Sequence, residues 1–517
     1  MRALVCLFAC VAGAHAGNGI FNVKDYGATG RKSGDARPAI QRAIDECGAA
    51  GGGTVFLPAG QYTSGTLHFR SHVRLLIDSG ATLFASLDSK AFDKAALLYG
   101  ENVDNITIEG RGTVDGQAEY IWQDNGSFDD AYIRENMLLA KALGKPLMRS
   151  FPKGFPTEQM YPHLVLLLHC KDVRIANLSF IRSRSWTINP YACERLTIDG
   201  VYIQSSLKDA VWADGIDPDG CKDVRIANST IETGDDAIVF YSSNIWGPPL
   251  PCENITVTNC RLSSASSAVK FCDGNMNCIR RVTVDNTVIT DSNRGIAFMV
   301  FDGGYVSDVV LSNLTIECRR HDWFWWGDGD PIHFNIKRRS EVDGTKRDHE
   351  PPAGSIRNVM IRNVVARGMG SSMINGHPDS WLDGVSLDNI KLIVANDPAS
   401  PLQKTVNAMQ IRWARNLRLK DVEVVWDKPI SAKWRTPLHL EDAQDVELDN
   451  FRGRAFQAGS PAVAFVNVDG VTVRNPNPPA GAGVYLDIAG ARSRGIRISG
   501  KVPYRLSNAA PATAVVP

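Results

Sequence analysis

CKDVRIANSTIETGDDAIVFYSSNIWGPPLPCENITVTN, residues 221–259, carries the same short unit near both ends: CKDVRIANS from Cys221 and CENITVTNC from Cys252. Its pattern is a polar residue, Asp or Asn nearby, two aliphatic positions separated by one residue, and Asn or Asp at the close. Toward the N-terminus the unit returns as CERLTIDGV at Cys193, CKDVRIANL at Cys170 and NVDNITIEG at Asn102. Toward the C-terminus it continues at Ile279, Val306, Ile356, Leu382, Ala414, Ala443 and Asn467. Alternating Val, Ile and Leu is the period-two signature of a short strand with one buried face, and the closing Asn favours a turn. From Asn228 through Asn259 and Asn286 to Asn313 the steps are 31, 27 and 27 residues. That is too short for a strand–helix–strand crossover and suits one coil of a β-solenoid. The expected fold is all-β, a right-handed parallel β-helix, with the repeated Asn side chains stacked about one strand spacing (~4.8 Å) apart.

A solenoid needs its first coil covered. The stretch DARPAIQRAIDECGAAGG sets Pro38 in a first helical turn and Ile40, Ala43, Ile44 and Cys47 on one face, which predicts a capping helix. Residues 124–160 break the repeat and read as a partly helical insertion beside the active face. The Pro- and Ala-rich stretch 476–517 reads as a C-terminal cap and tail. Residues 1–16, with Arg2, a short apolar run and Ala14-His15-Ala16, have the form of a signal peptide. The expected organisation is therefore a leader at 1–16, a catalytic β-helix at 17–475 and a cap at 476–517, secreted to an extracellular or periplasmic space.

Lys plus Arg and Asp plus Glu are both 56. That balance offers no bulk electrostatic attraction to nucleic acid or to a membrane surface. Of eleven cysteines, Cys6 and Cys10 lie in the leader, leaving nine, an odd number. Cys272 and Cys278 are the nearest loop-closing pair, while Cys170, Cys193, Cys221 and Cys252 begin successive repeat units, where stacked reduced thiols fit equally. No CxxC or HxxxH pair accompanies them, so neither metal nor cofactor is expected.

The most acidic segment, WADGIDPDGCKDVRIANSTIETGDDAIVF, runs from Trp212 to Phe240 and holds two carboxylate clusters one coil apart. Asp214 precedes Asp235 by 21 residues and Asp236 by 22, which stacks them on neighbouring turns. Inverting cleavage of a glycosidic bond needs an acid for the leaving oxygen and a base for water, with carboxyl groups roughly 6.5–9.5 Å apart. Mutual repulsion raises at least one pKa and keeps a proton available. Asp217 and Asp219, in a DPDG bend, read instead as turn-forming residues.

This segment resembles the catalytic stretch of glycoside hydrolase family 28, the polygalacturonase family, written there as NTDGxD followed by GDD or QDD. FNVKDYGATG, AIQRAIDECGAAGGGTVFLPAGQY and LLIDSGATL resemble that family's opening, and the similarity extends from about residue 20 to about residue 320. The resemblance implies hydrolysis of pectic polysaccharide by inversion, with Asp235 as general acid and Asp214 and Asp236 activating the water. Its partner would be a polysaccharide or oligosaccharide, acted on by a monomer. The chain departs from the family at Trp212 and Ala213 in place of Asn-Thr, at Ser267 where the Gly-His-Gly histidine falls, and at Ala297, Phe298 and Met299 where Arg-Ile-Lys falls. Lys270, Arg294 and His333 follow the carboxylates along the coils as substitutes for substrate binding, and Trp325 in HDWFWWGDGDP as a sugar platform. A β-helix lyase, or a solenoid that only binds carbohydrate, shares the architecture. Against the lyase stands the lack of an Arg or Lys base beside the Asp cluster in sequence; against the binding module, the clustered carboxylates.

Overall fold

A computed structural model of the chain describes residues 19–120, 122–127, 148–152, 162–207, 210, 212–271, 274–321, 327–342, 345–346, 348–398, 404–481 and 483–516. The leader at 1–16, most of the insertion at 124–160, Cys272 and the aromatic run Trp323–Trp326 lie outside the described residues. Of the insertion, two antiparallel strands are described, Trp122–Ser127 and Met148–Pro152.

The rest is a right-handed parallel β-helix. Each repeat unit forms a strand that pairs in register with the same unit one coil on, so Val173, Leu196, Val224, Ile255, Val282 and Val309 form one continuous interior column. All six are buried. Burial of such a side chain contributes about 1.5–3 kcal/mol, and stacking repeats that gain coil by coil. The predicted helix spans Arg37–Ala49 with Pro38 in its first turn, and it buries Ala39, Ile40, Ala43, Ile44 and Cys47 against the first coil.

Two columns of polar or soft residues follow the same register. Asn228 Nδ2 donates to Asp199 Oδ1 (2.8 Å) and Asn259 Nδ2 to Asn228 Oδ1 (3.3 Å). Further on, Asn363 donates to Asn313 (3.1 Å) and Asn389 to Asn363 (3.0 Å). The backbone there is left-handed, with φ between 54° and 56° at Asn228, Asn259, Asn313, Asn363 and Asn389, a conformation that Asn tolerates better than most residues. The ladder is interrupted at Asn313, whose amide donates to Asp285 instead. Inside, Cys170, Cys193, Cys221 and Cys252 occupy one place in successive coils, followed by Ile279 in the same register. The thiols therefore serve as small apolar groups; they are buried and free, as is Cys278.

Stacking continues past residue 475. Leu486–Ala489 pairs with Val463–Val466, Tyr504–Ser507 pairs with Leu486–Ala489, and Ala514 is fully buried. The region read as cap and tail thus adds strands to the same sheet, because its alternating apolar residues fit the register despite its many prolines.

One face carries the acidic residues. It includes Ile188–Tyr191, Ile238–Phe240, Ser267–Phe271, Arg294–Val300 and Asp330–Ile336, with Ile216 bridging Ile188 to Ile238. Phe240, Phe271, Phe298 and Phe334 point inward and stack at centroid separations of 5.1, 4.1 and 4.1 Å. Strand alternation then turns the residues between the inward ones, among them Asp217, Val239, Lys270, Ala297 and His333, to the outer side.

Candidate active site

Asp214 and Asp236 belong to adjacent coils, tied by the Gly215 N–H donating to the Asp236 carbonyl (2.9 Å). Two glycines permit this close approach: a Cβ on Gly215 would lie 2.3 Å from the Ala237 carbonyl oxygen, and one on Gly234 2.3 Å from that of Ala210. The hydroxyls of Thr233 and Ser264 both donate to the Asp235 carbonyl, at 2.8 and 2.6 Å, which fixes the backbone that presents its side chain. Asp235 is half-buried, whereas Asp214 is 2% and Asp236 1% exposed.

The cluster contains a fourth carboxyl. Asp217 is fully buried, and neither of its carboxyl oxygens has a hydrogen-bond partner within the protein among the described residues. One oxygen of Asp214 is in the same condition. Burial pushes both carboxyls well above the usual range; the charges of Asp235, Asp217 and Asp236 add to this for Asp214, and those of Asp236 and Asp235 for Asp217. Lys270 opposes the rise in both. The turn-forming reading fails for Asp217, because Ile216 points inward and thereby turns its neighbour to the outer face. Asp219 is structural in a different way from that expected: it accepts from the Ser243 N–H and hydroxyl one coil on.

Asp236 is held twice from the following coil. The Ser267 N–H donates to its Oδ1 (3.0 Å) and Lys270 Nζ donates to its Oδ2 (2.8 Å). A basic side chain therefore does stand in the carboxylate cluster, contrary to the expectation from sequence. Sequence distance hid it: Asp236 and Lys270 are 34 residues apart, separated by the loop after Phe240. Arg294, one coil beyond Lys270, and His333, two coils beyond, converge on Asp330, with Arg294 Nε 3.9 Å and His333 Nδ1 3.2 Å from its Oδ2. Both are buried, and burial lowers the pKa of His333, helped by the charge of Arg294. Trp325 lies outside the described residues. Sequence reading missed an aromatic group beside the carboxyls: Trp186, one coil before Asp214, packs on Val239 and Tyr241, its ring centroid 5.3 Å from that of Tyr241. Its only sequence signal is its position 28 residues before Asp214.

The sequence profile of glycosyl hydrolases family 28 matches residues 153–319, the segment that builds this cluster. With its polygalacturonase relatives, this match makes the chain a glycosidase similar to glycosyl hydrolases family 28. A second profile, rhamnogalacturonase A/epimerase, pectate lyase-like, matches residues 20–137. A probable polygalacturonase of Vitis vinifera is 25% identical over 403 residues, covering 72% of this chain and 74% of that protein. Among solved structures, an exopolygalacturonase from Thermotoga maritima is 20% identical with a TM-score of 0.61, covering 79% of this chain and 91% of the other. The family 28 exopolygalacturonase of Yersinia enterocolitica is 18% identical with a TM-score of 0.62, covering 83% and 78%. At these identities the structural likeness establishes the shared β-helix. No helix among the described residues is long and apolar enough to cross a membrane.

Proposed function

We propose that the protein is a secreted, monomeric hydrolase of pectic polysaccharide, of galacturonan or rhamnogalacturonan type, acting by inversion. The observation that carries this reading is the stack of Asp214, Asp235 and Asp236 on adjacent coils of one face, with carboxyl oxygens of Asp214 and Asp217 buried and unpartnered. Orphaned buried carboxyl groups cost stability unless another ligand completes them, and they concentrate where chemistry is done. Asp235, the half-buried member, gives its proton to the leaving glycosidic oxygen. Asp236 takes a proton from water as the water oxygen bonds to the anomeric carbon, and Asp214 shares that water from the preceding coil. The old carbon–oxygen bond breaks, and two shorter chains leave with the configuration at the cut inverted. Arg294 and His333 bind the glycan in the coils beyond Lys270, and Trp325 and Trp186 supply aromatic surfaces for sugar rings.

Product analysis by chromatography and mass spectrometry on a panel of pectic glycans tests this, with Asp235→Asn run beside the wild type. Saturated fragments that disappear in the variant are expected. Unsaturated fragments would make the protein a lyase, and equal turnover by the variant would remove Asp235 from the reaction.

A further inference from the structure

The residue that stands where the family carries its histidine, Ser267, does not reach the carboxyls with its side chain: its hydroxyl has no partner among the described residues, and its backbone N–H bonds Asp236. The positive charge arrives instead from Lys270, three residues on. Its side chain is 12% exposed and that of Asp236 2%, so the pair is nearly withdrawn from water. In register, Lys270 sits between Val239 and Ala297 on the outer row, flanked along the sheet by apolar neighbours. A short, desolvated, charge-assisted bond of this kind fixes the orientation of its acceptor.

Resting on the hydrolytic reading above, we propose that Lys270 is a positioning residue: its ammonium group clamps Oδ2 of Asp236 while the Ser267 N–H clamps Oδ1, aiming the carboxylate at the attacking water. Lys270 thereby serves the reaction through Asp236 and leaves recognition of the glycan to other groups. The charges around Asp236 are Asp214 and Asp217 from the preceding coil, Asp235 beside it and Lys270 from the following coil. Asp219 adds to the field at Asp217 but is itself held by Ser243. Arg294, Asp330 and His333 form their own cluster in the coils beyond. Within this set Lys270 is the cation that counters the aspartates, so its loss makes the group harder to ionise as a unit.

The test compares full-length wild type with Lys270→Met and Lys270→Arg. Two quantities are followed: the pH dependence of kcat/KM on a pectic glycan that the wild type cleaves, and the carboxyl titration of 13C-labelled aspartates by NMR. In Lys270→Met the acidic limb is expected to move up by about one pH unit or more, the size usual for losing an adjacent opposite charge. kcat should fall while KM stays within about threefold, the cluster's carboxyl signals should shift with the limb, and Lys270→Arg should restore both. A rise confined to KM, or a loss of kcat with limb and carboxyl signals unmoved, overturns the assignment. Should the wild type cleave no pectic glycan, the hydrolytic reading fails; the NMR titration then still decides whether Lys270 governs the carboxyls.

Discussion

The coil repeat of this β-helix brings together two groups of polar side chains, an Asn ladder and an aspartate cluster, and their hydrogen bonding is opposite. In the Asn ladder, each amide donates to the residue one coil back, as Asn259 does to Asn228 and Asn389 to Asn363. In the aspartate cluster, Asp214 and Asp217 bury carboxyl oxygens that find no hydrogen-bond partner among the described residues. A neutral amide can both donate and accept, so identical residues stacked in register satisfy one another. Ionised carboxyls can only accept, so burial without donors, with the neighbouring carboxylate charges adding to it, raises the pKa values of Asp214 and Asp217. The ladder uses the repeat to gain stability, and the aspartates use it to gather reactive groups at a cost in stability.

Substitutions at four positions test this difference, the strongest effect first. Asp235→Asn removes the proton donor and should lower kcat by about 10²–10⁴-fold with the unfolding midpoint scarcely changed, measured by initial rates and calorimetry. Phe271→Ala opens a cavity in the stack beneath the site, and denaturant titration should show a loss of about 3–5 kcal/mol. Asp217→Asn should raise stability. The Asp217 carboxyl titrates above its unfolded value, near 3.9, so the stability tied to its proton is present below that pH and is lost as pH rises through the folded value. The gain from Asn should therefore be small at pH 4 and reach about 1–3 kcal/mol at neutral pH; a gain independent of pH would contradict the raised pKa. Asn259→Ala should cost about 1–2 kcal/mol, since Ala pays for left-handed backbone and breaks one rung, and Asn259→Gly should recover the backbone part.

Much of the fold was readable in the chain because the repeat and the register are one phenomenon. The spacing from Asn228 to Asn313 predicts the coil, and Ile40, Ala43, Ile44 and Cys47 predict the buried face of the capping helix. The aspartates were legible for the same reason, lying 21 and 22 residues apart with no loop between the coils. Legibility ended where a loop intervenes. The pairing of Lys270 with Asp236 depends on how the chain from Tyr241 to Pro251 returns to register, which composition does not encode. Asp217 was misread because Asp-Pro-Asp-Gly matches a turn motif, whereas the inward Ile216 decides its direction. Prolines in 476–517 suggested an ending, yet alternation at Leu486–Ala489 and Tyr504–Ser507 sufficed to extend the sheet.

The central claim is that the stacked carboxyls direct water to one face of the scissile bond while a proton reaches the other. The most direct measurement is the anomeric configuration of the first-formed reducing end, followed by NMR during cleavage of a pectic oligosaccharide by the wild-type protein. Inversion is expected at the earliest times, before mutarotation mixes the anomers. Retention of configuration would mean a covalent intermediate and would contradict it.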